Sequence, residues 1–261
     1  MNDRFLSQTK ALAINVWREA VRDRLLHILV GSGTILIVFS QVLGEMAVGG
    51  RERVIQNIGF WVLGIWCLLA ILYLGSNILK REFQRKTVYL VLSRPVTRPT
   101  FLIGKYWGML MVLATMFILL AFVWLVMLQF NEIPIRSQHG WALAFIFGEW
   151  VLLAAVSLFF ACFTSPLLHN FFLIGISFLG HWSNDLRILA DQITEPLWMK
   201  QVLKSIYYVL PNLEALNFRG EALYNIYISP SLLGQGGIVW FCWTASILVA
   251  ANLVFMQRKL L

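Results

Sequence analysis

Residues Lys80–Lys105 read KREFQRKTVYLVLSRPVTRPTFLIGK, a basic, proline-broken stretch between two long hydrophobic runs. It carries seven of the chain's 21 lysines and arginines. A short basic segment between two membrane spans belongs on the cytoplasmic side, where positive residues are retained. The residue order divides it into three parts. Lys80–Leu92 is charged and free of helix breakers, which predicts a helix. Ser93-Arg94-Pro95 to Arg98-Pro99 predicts a break, because proline lacks an N–H and disfavours α backbone at the residue before it. Phe101-Leu102-Ile103-Gly104-Lys105 opens the next hydrophobic run. A stiff helix held at a membrane surface is a lever on which a soluble partner can push.

Composition points the same way. With 59% hydrophobic and 13% charged residues and a mean hydropathy of +0.73, the chain is no ordinary soluble domain, in which about a quarter of residues are charged. Eleven Trp and 19 Phe suit membrane interfaces and lipid-facing surfaces. The net charge of +8 invites a nucleic-acid reading, but its distribution opposes one. The expected inside segments hold 14 Lys and Arg against four acids, and the outside segments seven against eight. The basicity is therefore topological, and no nucleic-acid partner is expected. Cys67, Cys162 and Cys242 lie far apart in apolar runs, without the spacing of a disulfide framework or a metal site. The polar start MNDRFLSQTK, with no small-residue cleavage site after the first apolar run, predicts an uncleaved signal anchor.

Glu82, Thr87, Leu90, Ser93-Arg94-Pro95-Val96, Arg98 and Phe101–Lys105 resemble the first cytoplasmic loop of ABC-2-type transporter permeases. The likeness extends more loosely along the chain, through six hydrophobic segments, an amphipathic N-terminus and a Leu210-Pro211-Asn212-Leu213 turn. It implies an all-α integral membrane domain over 1–261. Six transmembrane helices are expected, with an N-terminal amphipathic elbow helix over 1–24. A cytoplasmic coupling loop (80–100) lies between spans two and three. It also implies Arg81, Glu82, Arg85, Lys86, Thr87 and Arg94 as ATPase-coupling residues, and Trp17, Arg18 and Arg22 as elbow-helix residues. The implied partners are two copies of a cytoplasmic ABC ATPase, a second permease chain, identical or homologous, and the lipid bilayer. A periplasmic partner is also compatible. No cofactor is expected in this chain, ATP and Mg²⁺ belonging to the ATPase. The implied location is a bacterial inner membrane, with multiple crossings and both termini cytoplasmic. On charge alone Arg81, Glu82, Arg85 and Lys86 read as the snorkelling interfacial charges of any cytoplasmic loop, and it is the resemblance that favours the ATPase contact.

Hydrophobic length supplies the spans directly. Over Asp3–Arg24 an apolar arc (Phe5, Leu6, Leu12, Ala13, Val16, Trp17, Ala20) faces a polar one with Arg4, Arg18 and Arg22, as in a helix lying in the headgroup plane; the alternative is the start of a long first span. Spans are expected at 25–43, 58–79, 101–130, 141–164, 167–180 and 238–255. Ser165-Pro166 divides an uncharged run too long for one crossing. The 181–237 segment is expected outside, with one or two amphipathic helices over 191–208. It is too apolar for a free linker, so it packs on the outer span ends or dips into the membrane. Gly234, Gly236 and Gly237 are expected to form a turn before the last span, and Gly31, Gly33, Gly59 and Gly64 to allow close helix approach.

Glu149 is the one acid well inside a span, and an ionisable residue there is costly enough to suggest a function. A paired or protonated carboxyl at a helix contact is the alternative. His169 and His181, twelve residues apart, are poor ligands for one metal ion, so no metal site is expected. His181 is expected to hydrogen-bond at the outer edge. The sequence has no GxxxxGK[ST], HExxH or GxSxG, so no P-loop, metalloprotease or lipase chemistry is expected, and no catalytic residue is assigned. Expected function is export, or mechanical work on a periplasmic partner, driven by a separate ATPase. Two other readings stay open. One is a transferase acting on lipid-linked substrates with Glu149, His181 or Asp185 as acid or base. The other is a non-catalytic membrane scaffold.

Overall fold

Asp23 divides the N-terminal region into two helices. The computed structural model describes residues 2–80, 97–193 and 197–257, and among these every regular element is helical. Helix α1 (Asn2–Val21) stops just before Asp23. The Asp23 backbone is extended, and its carboxylate accepts the N–H of Leu25 at 3.0 Å, capping α2 (Arg24–Met46). The remaining helices are α3 (Arg51–Ile78), α4 (Arg98–Phe130), α5 (Ser137–Ala161), α6 (Pro166–His181), α7 (Ser183–Gln192), α8 (Leu197–Val209), α9 (Arg219–Tyr224) and α10 (Pro230–Gln257). One 3₁₀ turn covers Glu214–Leu216.

Five of them, α2, α3, α4, α5 and α10, are long and apolar enough to cross a membrane. Helix α6 is equally apolar but has 16 residues, about 24 Å at 1.5 Å per residue, against a hydrocarbon core of ~30 Å. The chain thus has the build of a membrane-embedded helical protein. Helix α5 is the most enclosed of the five and α10 the least. Trp124, Trp150, Phe60, Phe101 and Phe255 are buried in the interior between them.

Helix α1 does not stand apart from this bundle. Thr9, Ala13, Val16 and Ala20 are buried at helical spacing, against the first half of α4. The approach depends on Gly104 and Gly108. A Cβ at Gly104 would lie 2.8 Å from the Leu12 Cβ, and one at Gly108 would lie 2.5 Å from the Val16 Cβ. Trp17 closes the seam by donating its indole N–H to Thr115 Oγ1 at 3.1 Å. Arg18 and Arg22 are exposed, and so are Phe5 and Leu6. The apolar arc is therefore shared between a protein-facing half and an uncovered half.

Two expectations are corrected here. Pro99 was expected in the break before the third span, yet it sits in the first turn of α4 behind the Thr97 cap. Proline is tolerated there because the N–H it lacks would have had no helical partner. Pro166 and Pro230 open α6 and α10 in the same way. The second correction concerns Gly234, Gly236 and Gly237, which form no turn and lie inside α10. Gly236 serves close packing instead, since a Cβ there would lie 2.9 Å from the Phe145 ring and 3.0 Å from the Ala215 carbonyl oxygen. Of the four glycines expected at helix contacts, Gly33, Gly59 and Gly64 face neighbouring side chains, whereas Gly31 has open space around it.

The bundle has two ends. At the terminal end Tyr73 of α3 donates to the Asp23 carboxylate. There Arg98 at the start of α4 also donates to the Met256 carbonyl of α10 at 2.6 Å. At the distal end Arg51 pairs with Glu45 at 2.9 Å and donates to Asn131 at 2.7 Å, joining the two short connections. Helices α7 and α8 pack on each other at this end. Lys204 beside Asp191, at 3.1 Å, holds that carboxyl below its usual range.

Candidate functional site

Glu149 lies on α5, about 18 Å along the axis from Ser137, with a side chain only 5% exposed. A carboxylate at that depth needs partners. Two reach it. Arg219 donates Nη2–H to Glu149 Oε2 at 3.0 Å, and His181 Nε2 lies 3.3 Å from Oε1. Each arrives because a local feature of the chain brings it inward.

His181 is the last residue of α6, and α6 is too short to reach the distal surface, so it ends level with Glu149. The space above it is filled by the chain returning from α8. Leu213 donates its backbone N–H to the Gly180 carbonyl at 3.1 Å. The Asn212 side-chain oxygen accepts from Ser183 Oγ at 2.7 Å and from the Ala215 N–H at 3.1 Å. Leu213, Leu216, Phe218 and Ala222 are buried, so this segment is a wedge within the bundle. Phe218 packs edge-on against Phe145 of α5, with ring centroids 4.6 Å apart, and Arg219 follows it into the interior. Gly64 on α3 leaves room for the guanidinium, since a Cβ there would meet Arg219 Nη2 at 3.0 Å.

The hydrogen-bond pattern fixes one proton of the cluster. His181 Nδ1 lies 2.8 Å from the Ser177 carbonyl, which can only accept, so Nδ1 carries a proton. Contact between Nε2 and a carboxylate oxygen then requires a second proton between His181 and Glu149. The cluster therefore combines the fixed charge of Arg219 with a proton shared across α5 and α6. Both oxygens of Glu149 are engaged. Such an arrangement suits a latch, which ties α5 to the end of α6 and to the wedge beside α3, better than a free general base.

The other expected residues are placed as follows. Arg81, Glu82, Arg85, Lys86, Thr87 and Arg94 lie outside the described residues. Trp17 is engaged with Thr115, while Arg18 and Arg22 face away from the bundle. His181 is not the edge residue it was expected to be, because α6 ends below the surface and delivers it to Glu149. Asp185 is exposed. His169 is buried and engaged by Ser157 (Oγ 3.0 Å, carbonyl 3.1 Å) and Asn170 (2.9 Å), apart from the Glu149 cluster. Among the described residues no group of three or more His, Cys, Asp or Glu is placed to hold a metal ion. Arg219 was missed in the sequence, as was the Gly104/Gly108 pair.

A second feature flanks the cluster. An almost wholly apolar cleft of about 720 Å³ opens between α4, α5 and α10, lined by Trp107, Leu110, Phe147, Trp240 and Phe241 among others. Gly148, next to Glu149, is part of its wall. No protein-family model and no curated protein matches the chain.

Proposed function

We propose that this chain is the permease subunit of an ABC-2-type transporter. In this reading α1 is the elbow helix, α6 with the wedge completes a sixth crossing, and the terminal end of the bundle is cytoplasmic in a bacterial inner membrane. Two permease chains, identical or related, carry two ATPase subunits, and ATP-driven closure pushes on the 80–100 loop. The observation that carries the reading is where the loop meets the bundle. Helix α4 begins at Arg98, within the last residues of that loop, and its first turns at Gly104 and Gly108 are those against which α1 is seated. A displacement of the loop is thereby delivered to the elbow helix and a long span together.

The Glu149 latch gives such a displacement something to release, because α5, α6 and the wedge must separate for a path to open at the distal end. Coupling requires the ATPase to bind the latched and unlatched states with different affinity. The work is used for export or is delivered to a periplasmic partner. The transferase alternative has less support, as both oxygens of Glu149 are occupied and Asp185 lies apart.

The test is co-purification of the tagged chain from its native membrane in mild detergent, with ATPase assay of what accompanies it. An ATP-binding subunit is expected. Glu82→Lys, reversing a charge at the expected contact, should lower its retention or its permease-dependent turnover by about tenfold. Recovery of the chain without any nucleotide-binding partner would sink the assignment.

A further inference from the structure

The distal end holds a second polar site, independent of the Glu149 cluster and of the transporter reading. A cavity of about 230 Å³ lies between the first turns of α3, the connection before α5 and the end of α9. Its polar wall consists of Glu52, Arg53, Gln56, Arg136, His139 and Tyr224, with Asn225 at the rim. Gln56 and His139 are buried, at 6% and 2% exposure, and their hydrogen bonds can be assigned. The Arg136 backbone N–H donates to His139 Nδ1 at 3.1 Å, so in the neutral ring the proton is on Nε2. That Nε2–H donates to Gln56 Oε1, also at 3.1 Å. The Gln56 carboxamide is thereby oriented, and among the described residues nothing accepts from its NH₂ group.

The cavity thus has a fixed, unused donor on its wall and two guanidinium groups beside it. Arg53 is held by stacking its guanidinium over Tyr224, 5.4 Å from the ring centroid. Among the described residues neither Arg53 nor Arg136 has a carboxylate partner. Among the described residues Glu52 is the single acid on the wall, so the balance there is one positive charge. An oriented amide donor on a wall that also carries two forked cations matches the oxygens of a phosphate group, and the net charge matches a monoanion. We propose that this cavity binds a phosphate monoanion. Two sources share that chemistry. One is the phosphodiester of a lipid headgroup, which the cavity would meet where the spans end; the other is free phosphate.

The full chain in lipid-free detergent would be titrated calorimetrically with inorganic phosphate and, separately, with a short-chain phosphatidylglycerol. Saturable binding of one equivalent is expected, and Arg53→Gln or Arg136→Gln should each weaken it about tenfold. Arg51→Gln, an arginine outside the cavity, should leave it unchanged. Binding of the lipid alone assigns the headgroup source, and binding of inorganic phosphate assigns the free ion. Both arginines are exposed, so the variants should keep the wild-type unfolding temperature, which is measured alongside. The proposal is overturned if neither probe saturates, if the cavity variants bind as the wild type does, or if Arg51→Gln weakens binding equally.

Discussion

Arg219→Met is expected to destabilise the purified protein by about 3 kcal/mol, at the low end of the range for breaking a buried charge pair. The substitution keeps the unbranched apolar stem but removes the guanidinium that lies beside Gly64, and so leaves Glu149 facing His181 alone, with one oxygen unpaired. Proton uptake by the carboxyl limits the loss, which is why the low end applies. Glu149→Gln should cost a similar amount, because the guanidinium is then left without its countercharge and Arg219 Nε already lacks a partner among the described residues. The double variant should recover most of the stability, since removing both members of a buried pair is close to neutral. Tryptophan fluorescence during thermal or denaturant unfolding in detergent would report all four proteins. Losses that simply add in the double variant would mean that the two groups do not stabilise one another.

What the sequence revealed of this cluster was uneven, for physical reasons. Glu149 stood out because an acid inside an apolar run is conspicuous by composition. Arg219 did not, because it lies 70 residues further on, in a stretch that also contains Arg187, Lys200 and Lys204. Choosing among those four needs the path of the chain, and that path depends on Gly180 accepting Leu213 and on Gly64 leaving space. Two hints were present. The 181–237 segment was too apolar to be a linker, and the fifth apolar run was too short to cross unaided; together they describe a wedge descending to meet a short helix. Helix existence was legible from hydrophobic length, and the start of α6 at Pro166 fell within one residue of its expected place, but the starts of α4 and α10 were placed too late because Pro99 and Pro230 were read as breakers instead of first-turn residues. Glycine was ambiguous for the same kind of reason. Gly31 and Gly64 look alike as letters, yet one faces open space and the other a guanidinium.

Gly108→Val is expected to separate α1 from α4 and to cost about 3 kcal/mol, the upper end of the usual range for overpacking. Most core substitutions of this size are absorbed by a rotamer change, but this position leaves none available. A Cβ at residue 108 would stand 2.5 Å from the Val16 Cβ, 2.9 Å from its Cγ1 and 3.0 Å from the Ala13 carbonyl oxygen. Two of those three atoms are fixed to the α1 backbone, so the helix itself must move. Amide hydrogen exchange should show α1 losing protection while α3 and α5 keep theirs. Gly31→Val, where a Cβ meets nothing within 4 Å, should do neither. Val16→Gly should restore part of the contact in the Gly108→Val background, at a helix-propensity cost of roughly 0.5 kcal/mol, the difference between Gly and Val. Under the proposed function the variant also separates two roles of the N-terminal helix. If α1 only anchors the chain, its release leaves partner ATPase activity coupled. If α1 moves with α4 as one body, turnover that depends on the permease falls along with α1 protection. Retained protection of α1 in Gly108→Val would show that the seam is not the rigid joint on which that transmission depends.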